Sequence, residues 1–209
     1  PGTAAQSRTS LASRKERCSL SSSLTEIRWH GRGGQGAVTA AKMVAEIAAE
    51  HGKCFQAFPE YGPERSGAPI VAFTRLSDDP IQCYSAVEHP AIVLVLDETL
   101  LSVVDVTDGA PADAAVIVNT EKSPSEIKKV FDFGKRRVYT IPATKIAKQT
   151  LGRAIPNTPM VSALSKITGQ FSLGEIEDHL RHTFGKKFPP KVVEANVEAA
   201  HMGFEEVQE

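Results

Sequence analysis

Apolar and polar positions change their period along the chain, and the changes mark out its elements. Ile27 and Trp29 alternate with Arg28 and His30, the two-residue period of a strand with two different faces. From Ala37 the period lengthens. Ala37, Ala41, Val44, Ala45 and Ala48 fall three or four apart on one side of a helix, and Gly52 stands where a left-handed cap would end it. Between the two, Gly31, Gly33, Gly34 and Gly36 crowd a turn in which only Arg32 and Gln35 carry side chains. Such a turn is expected to leave backbone N–H groups bare at the positive end of a helix, suited to an anion or a closely packed partner.

Residues 53–58 read as a second short strand, and residues 70–76 and 81–85 as a hairpin around Ser77-Asp78-Asp79-Pro80. A hairpin pairs its strands antiparallel, so the sheet is expected to be mixed. Residues 91–96 (AIVLVL), 114–118 and 138–141 are apolar runs of the kind a strand covered on both faces requires. Helices are expected over 123–131, with Ser123 capping and Pro124 in the first turn, and over 143–151, 159–168, 173–184 and 190–202. Strands alternating with helices, then helices alone, define an α/β fold: a Rossmann-like three-layer domain with a mixed, mainly parallel sheet and a helical C-terminal segment. His30-Gly31, Asp97 and Asn119-Thr120 then stand at strand ends, where the crevice of an open α/β sheet takes its ligands. The alternatives are helix capping for Asp97 and Ser123 and a turn for Asn119.

Composition narrows the function. At 209 residues the chain supports one substantial core, and 41% hydrophobic with 23% charged residues is an ordinary globular balance. A net charge of −1 argues against a nucleic-acid binder, and no apolar run approaches the roughly 20 residues a membrane span needs. Cys18, Cys54 and Cys83 form no C-x-x-C pair, so the chain is expected to hold neither an iron–sulfur cluster nor a structural zinc, and its thiols to be free in a reducing cytoplasm. Residues 1–24 are rich in Ser, Ala and Arg and lack apolar periodicity. They are expected to be a flexible arm or leader, whether a cloning remnant, a processed leader, a transit peptide or a natural arm, ahead of a single domain over 25–209.

Gly31-x-Gly33-x-x-Gly36 matches the dinucleotide fingerprint and has the required strand before it and helix after it. Two features count against NAD or FAD: the strand carries Arg28 and His30, and Phe58-Pro59 stands where the ribose-binding acid belongs. Residues 59–69 (PEYGPERSGAP) form a turn-rich loop in which Glu60, Tyr61, Glu64, Arg65 and Ser66 carry the chemistry, read either as a contact loop or as a plain surface connection. Ser66 and Ser85 lack a nucleophile elbow, and His179 and His182, three apart on a helix, read as a solvated face rather than a metal site. Trp29, Phe55, Phe58 and Tyr61 are expected to form an apolar face, exposed when the chain is alone.

The segments IRWHGRGGQGAVTAAK, QAFPEYGPERSGAP, VNTEKSP, PATKIA and IPNTPM, in this order from about residue 25 to 208, resemble the gamma subunits of the 2-oxoacid:ferredoxin oxidoreductases, nearest the pyruvate type. The resemblance implies one subunit of an enzyme that converts a 2-oxoacid and coenzyme A to an acyl-CoA and carbon dioxide. Thiamine diphosphate, Mg2+ and [4Fe–4S] clusters would lie on the alpha, beta and delta subunits, with electrons leaving to ferredoxin, and no catalytic or metal-binding residue would lie on this chain. It further implies that the GRGGQG turn (Gly31, Arg32, Gly33, Gly34, Gln35, Gly36) and Glu64, Arg65 and Ser66 of the following loop assist the coenzyme A site. In many relatives Ser66 is replaced by arginine or threonine. A stand-alone nucleotide-binding protein and a purely structural scaffold subunit are the competing readings.

Overall fold

The computed structural model describes residues 24–60 and 67–209, so the arm over 1–23 and Tyr61 to Ser66 of the loop lie outside the described residues. Six strands form among them: β1 (Thr25–Arg32), β2 (Cys54–Pro59), β3 (Pro69–Ser77), β4 (Ile92–Val95), β5 (Ala115–Asn119) and β6 (Arg137–Ile141). They make one sheet in the order β2-β3-β1-β4-β5-β6, in which β3 pairs antiparallel with β1 and β2 while β1, β4, β5 and β6 pair parallel. The helices are α1 (Ala37–Glu50), α2 (Pro124–Val130), α3 (Ala143–Leu151), α4 (Asn157–Thr168), α5 (Leu173–His179) and α6 (Pro190–Glu205). A short 3-10 helix over Glu98–Ser102, which apolar periodicity does not signal, follows β4, and a π-helical turn over Leu180–Phe184 prolongs α5. The expected α/β architecture, mixed sheet and helical C-terminal segment are all present.

Strand β1 lies between β3 and β4, inside the sheet, and the alternation of its side chains feeds two different layers. Ile27 and Trp29 join Ile92, Leu94, Ile117 and Ile141 in a core closed by α1, α3, α4, α5 and α6. The indole N–H of Trp29 donates to Thr74 Oγ1 at 3.0 Å, and that hydroxyl donates to the Ala41 carbonyl of α1 at 3.0 Å. Trp29 is therefore not part of an exposed apolar face as expected. A central strand has no open side, and among the described residues of the named set only Phe55 is clearly exposed, Tyr61 lying outside them. Val93, Val95, Val116, Val118 and Val138 point the other way and pack with Leu100, Val106, Ile127 and Phe133.

The expected hairpin fails at its second arm. Residues 70–76 are strand, whereas 81–85 are not. β3 has β1 on one edge and β2 on the other, so no edge remains for a third partner. Arg75 holds the segment as a loop instead. Its guanidinium is buried, pairs with Glu26 at 2.8 Å and donates to Gln56 Oε1, the Cys83 carbonyl at 3.3 Å and the Ser85 carbonyl at 2.8 Å, with Phe58 5.5 Å away across its face. Cys83, in this loop, is disulfide-bonded and, among the described residues, only Cys54 is free, which corrects the expectation of free thiols throughout. His179 is corrected as well. It is buried against α1, with Nδ1 3.0 Å from Glu50 Oε1, while His182 alone faces solvent.

Removing a buried ion-pair partner strands the remaining polar groups, at a typical cost of about 3–5 kcal/mol. Arg75→Met should thus lower the unfolding free energy by about 3 kcal/mol, because Glu26 keeps some solvent access. Urea denaturation at neutral pH measures it; a loss below about 1 kcal/mol would mean that the 81–86 loop is held by other contacts.

Candidate functional site

The glycine turn brings the end of β1 against the start of α1 with almost no space between them. A Cβ on Gly31 would stand 3.0 Å from Ala37 Cβ, and one on Gly36 would stand 3.2 Å from Asn157 Cβ of α4. Gly36 is also the residue before the first helical turn and has a φ of 84°, a left-handed conformation that side chains other than glycine rarely adopt. Close packing at this turn is thus made within the chain.

Three of the turn amides are not bare, contrary to the expectation, although α1 starts at Gly36 with no side-chain cap. Gln35 folds back so that its Oε1 accepts from the Arg32 amide at 2.8 Å; the Gly33 amide donates to Ala68 O at 3.0 Å, and the Gln35 amide to Arg32 O at 3.1 Å. A phosphate seated here would have to displace these bonds, which removes much of what makes a dinucleotide cradle attractive to an anion. The signal was in the sequence: glutamine is the one side chain in GRGGQG long enough to bond its own turn while offering no charge.

Asp97, at the end of β4, closes the arrangement. Its Oδ2 accepts from Gln35 Nε2 at 2.6 Å and lies 3.3 Å from Arg32 Nε, while its Oδ1 accepts from the Thr99 amide at 3.0 Å and the Thr99 hydroxyl at 2.6 Å. Arg32 reaches further, donating to Thr99 Oγ1 at 2.9 Å and to the Gly67 carbonyl at 3.1 Å. Burial pushes the Asp97 carboxyl up, but the bonds from Thr99, Gln35 and the Thr99 amide and the charge of Arg32 outweigh it and hold the group below its ordinary range. Asp97 therefore caps the 3-10 helix, the capping alternative for this residue, and also binds the turn.

Beyond these strand ends lies a crevice of about 390 Å3 bordered by Gln35, Asp97, Glu98, Asn119, Thr120 and Lys122. Asn119 is a cross-strand tie rather than a turn residue: its Nδ2 donates to Leu96 O at 2.8 Å and Thr144 Oγ1 at 2.7 Å, and its Oδ1 accepts from the Thr144 amide at 3.0 Å. Glu98 accepts from Lys122 Nζ and from the Thr120 hydroxyl; burial raises its pKa, and these two contacts outweigh that and lower it. Ser123 caps α2 in a capping box with Glu126. A larger depression of about 760 Å3 lies apart from the strand ends, over 101–109 and 131–134, and its Arg136 is bonded to backbone carbonyls of the same loops. The polar side chains converge on the smaller crevice, which is the one an open α/β sheet uses for ligands.

Of the expected site residues, the structure holds Gly31, Arg32, Gly33, Gly34, Gln35 and Gly36 in one turn, of which Gln35 borders this crevice, whereas Glu64, Arg65 and Ser66 lie outside the described residues. The C-terminal shoulder of their loop does meet the turn, through the Gly67 and Ala68 carbonyls. Missed by periodicity is the pair Arg28 and His30, only 8% and 7% exposed, on the sheet face opposite Trp29. Arg28 Nη2 donates to Val106 O at 2.9 Å and Asp108 O at 2.6 Å. Burial, helped by the Arg28 charge, pushes His30 down to about 4, so its imidazole is neutral at pH 7. Charged residue types inside a central strand were the available signal.

Fold and site together define a Rossmann-like α/β domain whose glycine turn is closed by its own side chains. The chain belongs to the pyruvate ferredoxin/flavodoxin oxidoreductase family, whose model matches residues 26–206. A relative named pyruvate synthase subunit PorC, from Thermotoga maritima, is 49% identical over 183 residues, covering 88% of this chain and 94% of that one. The crystal structure of pyruvate oxidoreductase subunit PORC (EC 1.2.7.1) from Thermotoga maritima superimposes with a TM-score of 0.78 at 44% identity, over 89% of this chain and 98% of that chain. A protein of Pyrococcus abyssi named pyruvate/ketoisovalerate oxidoreductases common subunit gamma is 44% identical over 185 residues, 88% of this chain and 98% of that one.

A carboxyl whose folded pKa is depressed adds stability that is complete above its unfolded value, about 3.9 for aspartate, and is lost as pH falls through the folded value. The melting-temperature gap between the wild type and Asp97→Asn should accordingly stay constant from pH 7 to 5 and shrink below pH 4. A gap that persists undiminished to pH 3 would contradict the charged clamp.

Proposed function

We propose that this chain is the gamma subunit of a multisubunit pyruvate synthase. With alpha, beta and delta subunits it would convert pyruvate and coenzyme A to acetyl-CoA and carbon dioxide, passing two electrons to ferredoxin, in the cytoplasm. The observation that carries the reading is the likeness, over nearly the whole chain and in both sequence and structure, to a pyruvate synthase subunit. Among the described residues no helix is long and apolar enough to cross a membrane.

In this reading thiamine diphosphate, Mg2+ and the [4Fe–4S] clusters sit on the sister subunits. The donor set here does not suit them: among the described residues no three His, Cys, Asp or Glu side chains converge, and no C-x-x-C pair occurs in the sequence. No step of the reaction is therefore routed through a metal on this chain. Its contribution is to assembly and to the coenzyme A site. With the turn amides of Arg32, Gly33 and Gln35 engaged, the glycines of 31–36 shape the backbone, and contact with the coenzyme falls to side chains, namely Arg32 and the loop residues Glu64, Arg65 and Ser66. Arg32 and Lys122 are already paired with Asp97 and Glu98, so phosphate recognition is assigned to the loop cation Arg65.

A second reading, that the same chain serves an oxidoreductase for a branched-chain 2-oxoacid, is favoured by the 44% identical relative whose name assigns it to both pyruvate and ketoisovalerate enzymes. Anaerobic purification of the assembled complex, followed by coenzyme A-dependent ferredoxin reduction with each oxoacid, separates the two. Pyruvate should support the faster rate. In the same complex Arg65→Ala should raise the KM for coenzyme A about tenfold, a loss of about 1.4 kcal/mol in line with one charge-assisted bond, while kcat changes less than twofold. Purification without any sister subunit would overturn the assignment, and unchanged coenzyme A kinetics would overturn the role of Arg65.

A further inference from the structure

The chain's near-neutral total hides a strong asymmetry. Residues 133–193 carry eleven Lys and Arg against three Asp and Glu, and residues 179–193 contain no acid at all. The densest part, Arg181 to Lys191 between α5 and α6, stands out in solvent: Lys186, Lys187 and Lys191 are exposed, with Phe188 47% and Val192 38% accessible beside them. Arg181 is neutralised by Glu177 at 3.0 Å and Glu194 at 3.4 Å. The three lysines are not. Among the described residues none of them has a carboxylate within 4.0 Å, and Lys186 Nζ instead lies 2.8 Å from His182 Nε2.

This segment is also held in shape. The Lys187 and Phe188 amides donate to Phe184 O at 2.9 and 2.8 Å, the rings of Phe184 and Phe188 meet edge to face at 5.5 Å, and Pro189 is extended with φ −60° and ψ 151° ahead of Pro190 at the start of α6. A stiff loop loses little conformational freedom on binding. Cations grouped around an exposed aromatic and an exposed valine call for a partner that supplies carboxylates around an apolar contact, which is a protein surface.

We infer that Lys186, Lys187, Phe188 and Lys191 form the docking surface for an acidic face of a sister chain in the assembled enzyme, an inference that rests on the gamma-subunit reading. The apolar pair Phe188 and Val192 points to a lasting interface rather than a passing encounter, since such side chains are better covered than left in water.

The test is zero-length carbodiimide cross-linking of the complex purified anaerobically without added ferredoxin, with the linked peptides mapped by mass spectrometry. Amide links from Lys186, Lys187 or Lys191 to Asp or Glu of another chain are expected. The triple variant K186E/K187E/K191E alters only exposed side chains, so the full chain should keep its circular dichroism while its apparent dissociation constant from the complex at 0.1 M salt rises at least tenfold. Links confined to this chain's own carboxylates, links that form only after ferredoxin is added, or a variant retained as tightly as the wild type would each overturn the inference. Absence of every sister chain from the purified material would overturn the subunit reading itself, and this inference with it.

Discussion

Everything at the crevice depends on how the chain leaves β1 and enters α1 within four residues. The passage needs a left-handed residue at Gly36 and a side chain no larger than hydrogen at Gly31, where Ala37 is already 3.0 Å from the position of a Cβ. A turn so compressed exposes peptide groups, and the chain engages three of their amides itself: Gln35 bonds the Arg32 amide and then hands its other end to Asp97, while the Gly33 and Gln35 amides bond carbonyls. Arg32 meets the same carboxylate oxygen. The end of β1, the start of α1 and the end of β4 are thereby tied to one ionised group, which orders the crevice between them.

The same economy of satisfied polar groups explains why β1 tolerates charge at the centre of the sheet. Arg28 is buried because the carbonyls of Val106 and Asp108 are turned toward it, and Arg75 because Glu26, Gln56 and the carbonyls of the 83–86 loop surround it. Each arginine fastens an irregular segment to the sheet face opposite α1. On the helical face the ties are different: the Trp29–Thr74–Ala41 relay runs through an otherwise apolar core. Strands β1 and β3 are thus apolar beneath α1 and carry buried arginines on the opposite face.

Much of this could be read from the residues in order. The strands over 92–95, 115–119 and 137–141 and every helix longer than one turn follow from runs and periods that burial requires. What escaped was set by long-range pairing. Whether 81–85 could be a strand depended on whether β3 had a free edge, and β1 and β2, remote in sequence, had taken both. Likewise the burial of Arg28, His30 and His179 depends on carbonyls and carboxylates that come from other elements. At the site, the glycine pattern correctly marked a turn between strand and helix. The closure by Gln35 and Asp97, 62 residues apart, required the fold.

The central claim is that this turn is a closed structural clamp in a subunit of a larger oxidoreductase and not a dinucleotide cradle. Titration calorimetry of the full chain with NAD, FAD and ATP tests it most directly. The clamp predicts no saturable heat from any of the three at millimolar concentration, because the Arg32, Gly33 and Gln35 amides are already bonded. Saturable binding of NAD or FAD in the micromolar range, lost in a variant carrying Gly33→Val, would contradict it.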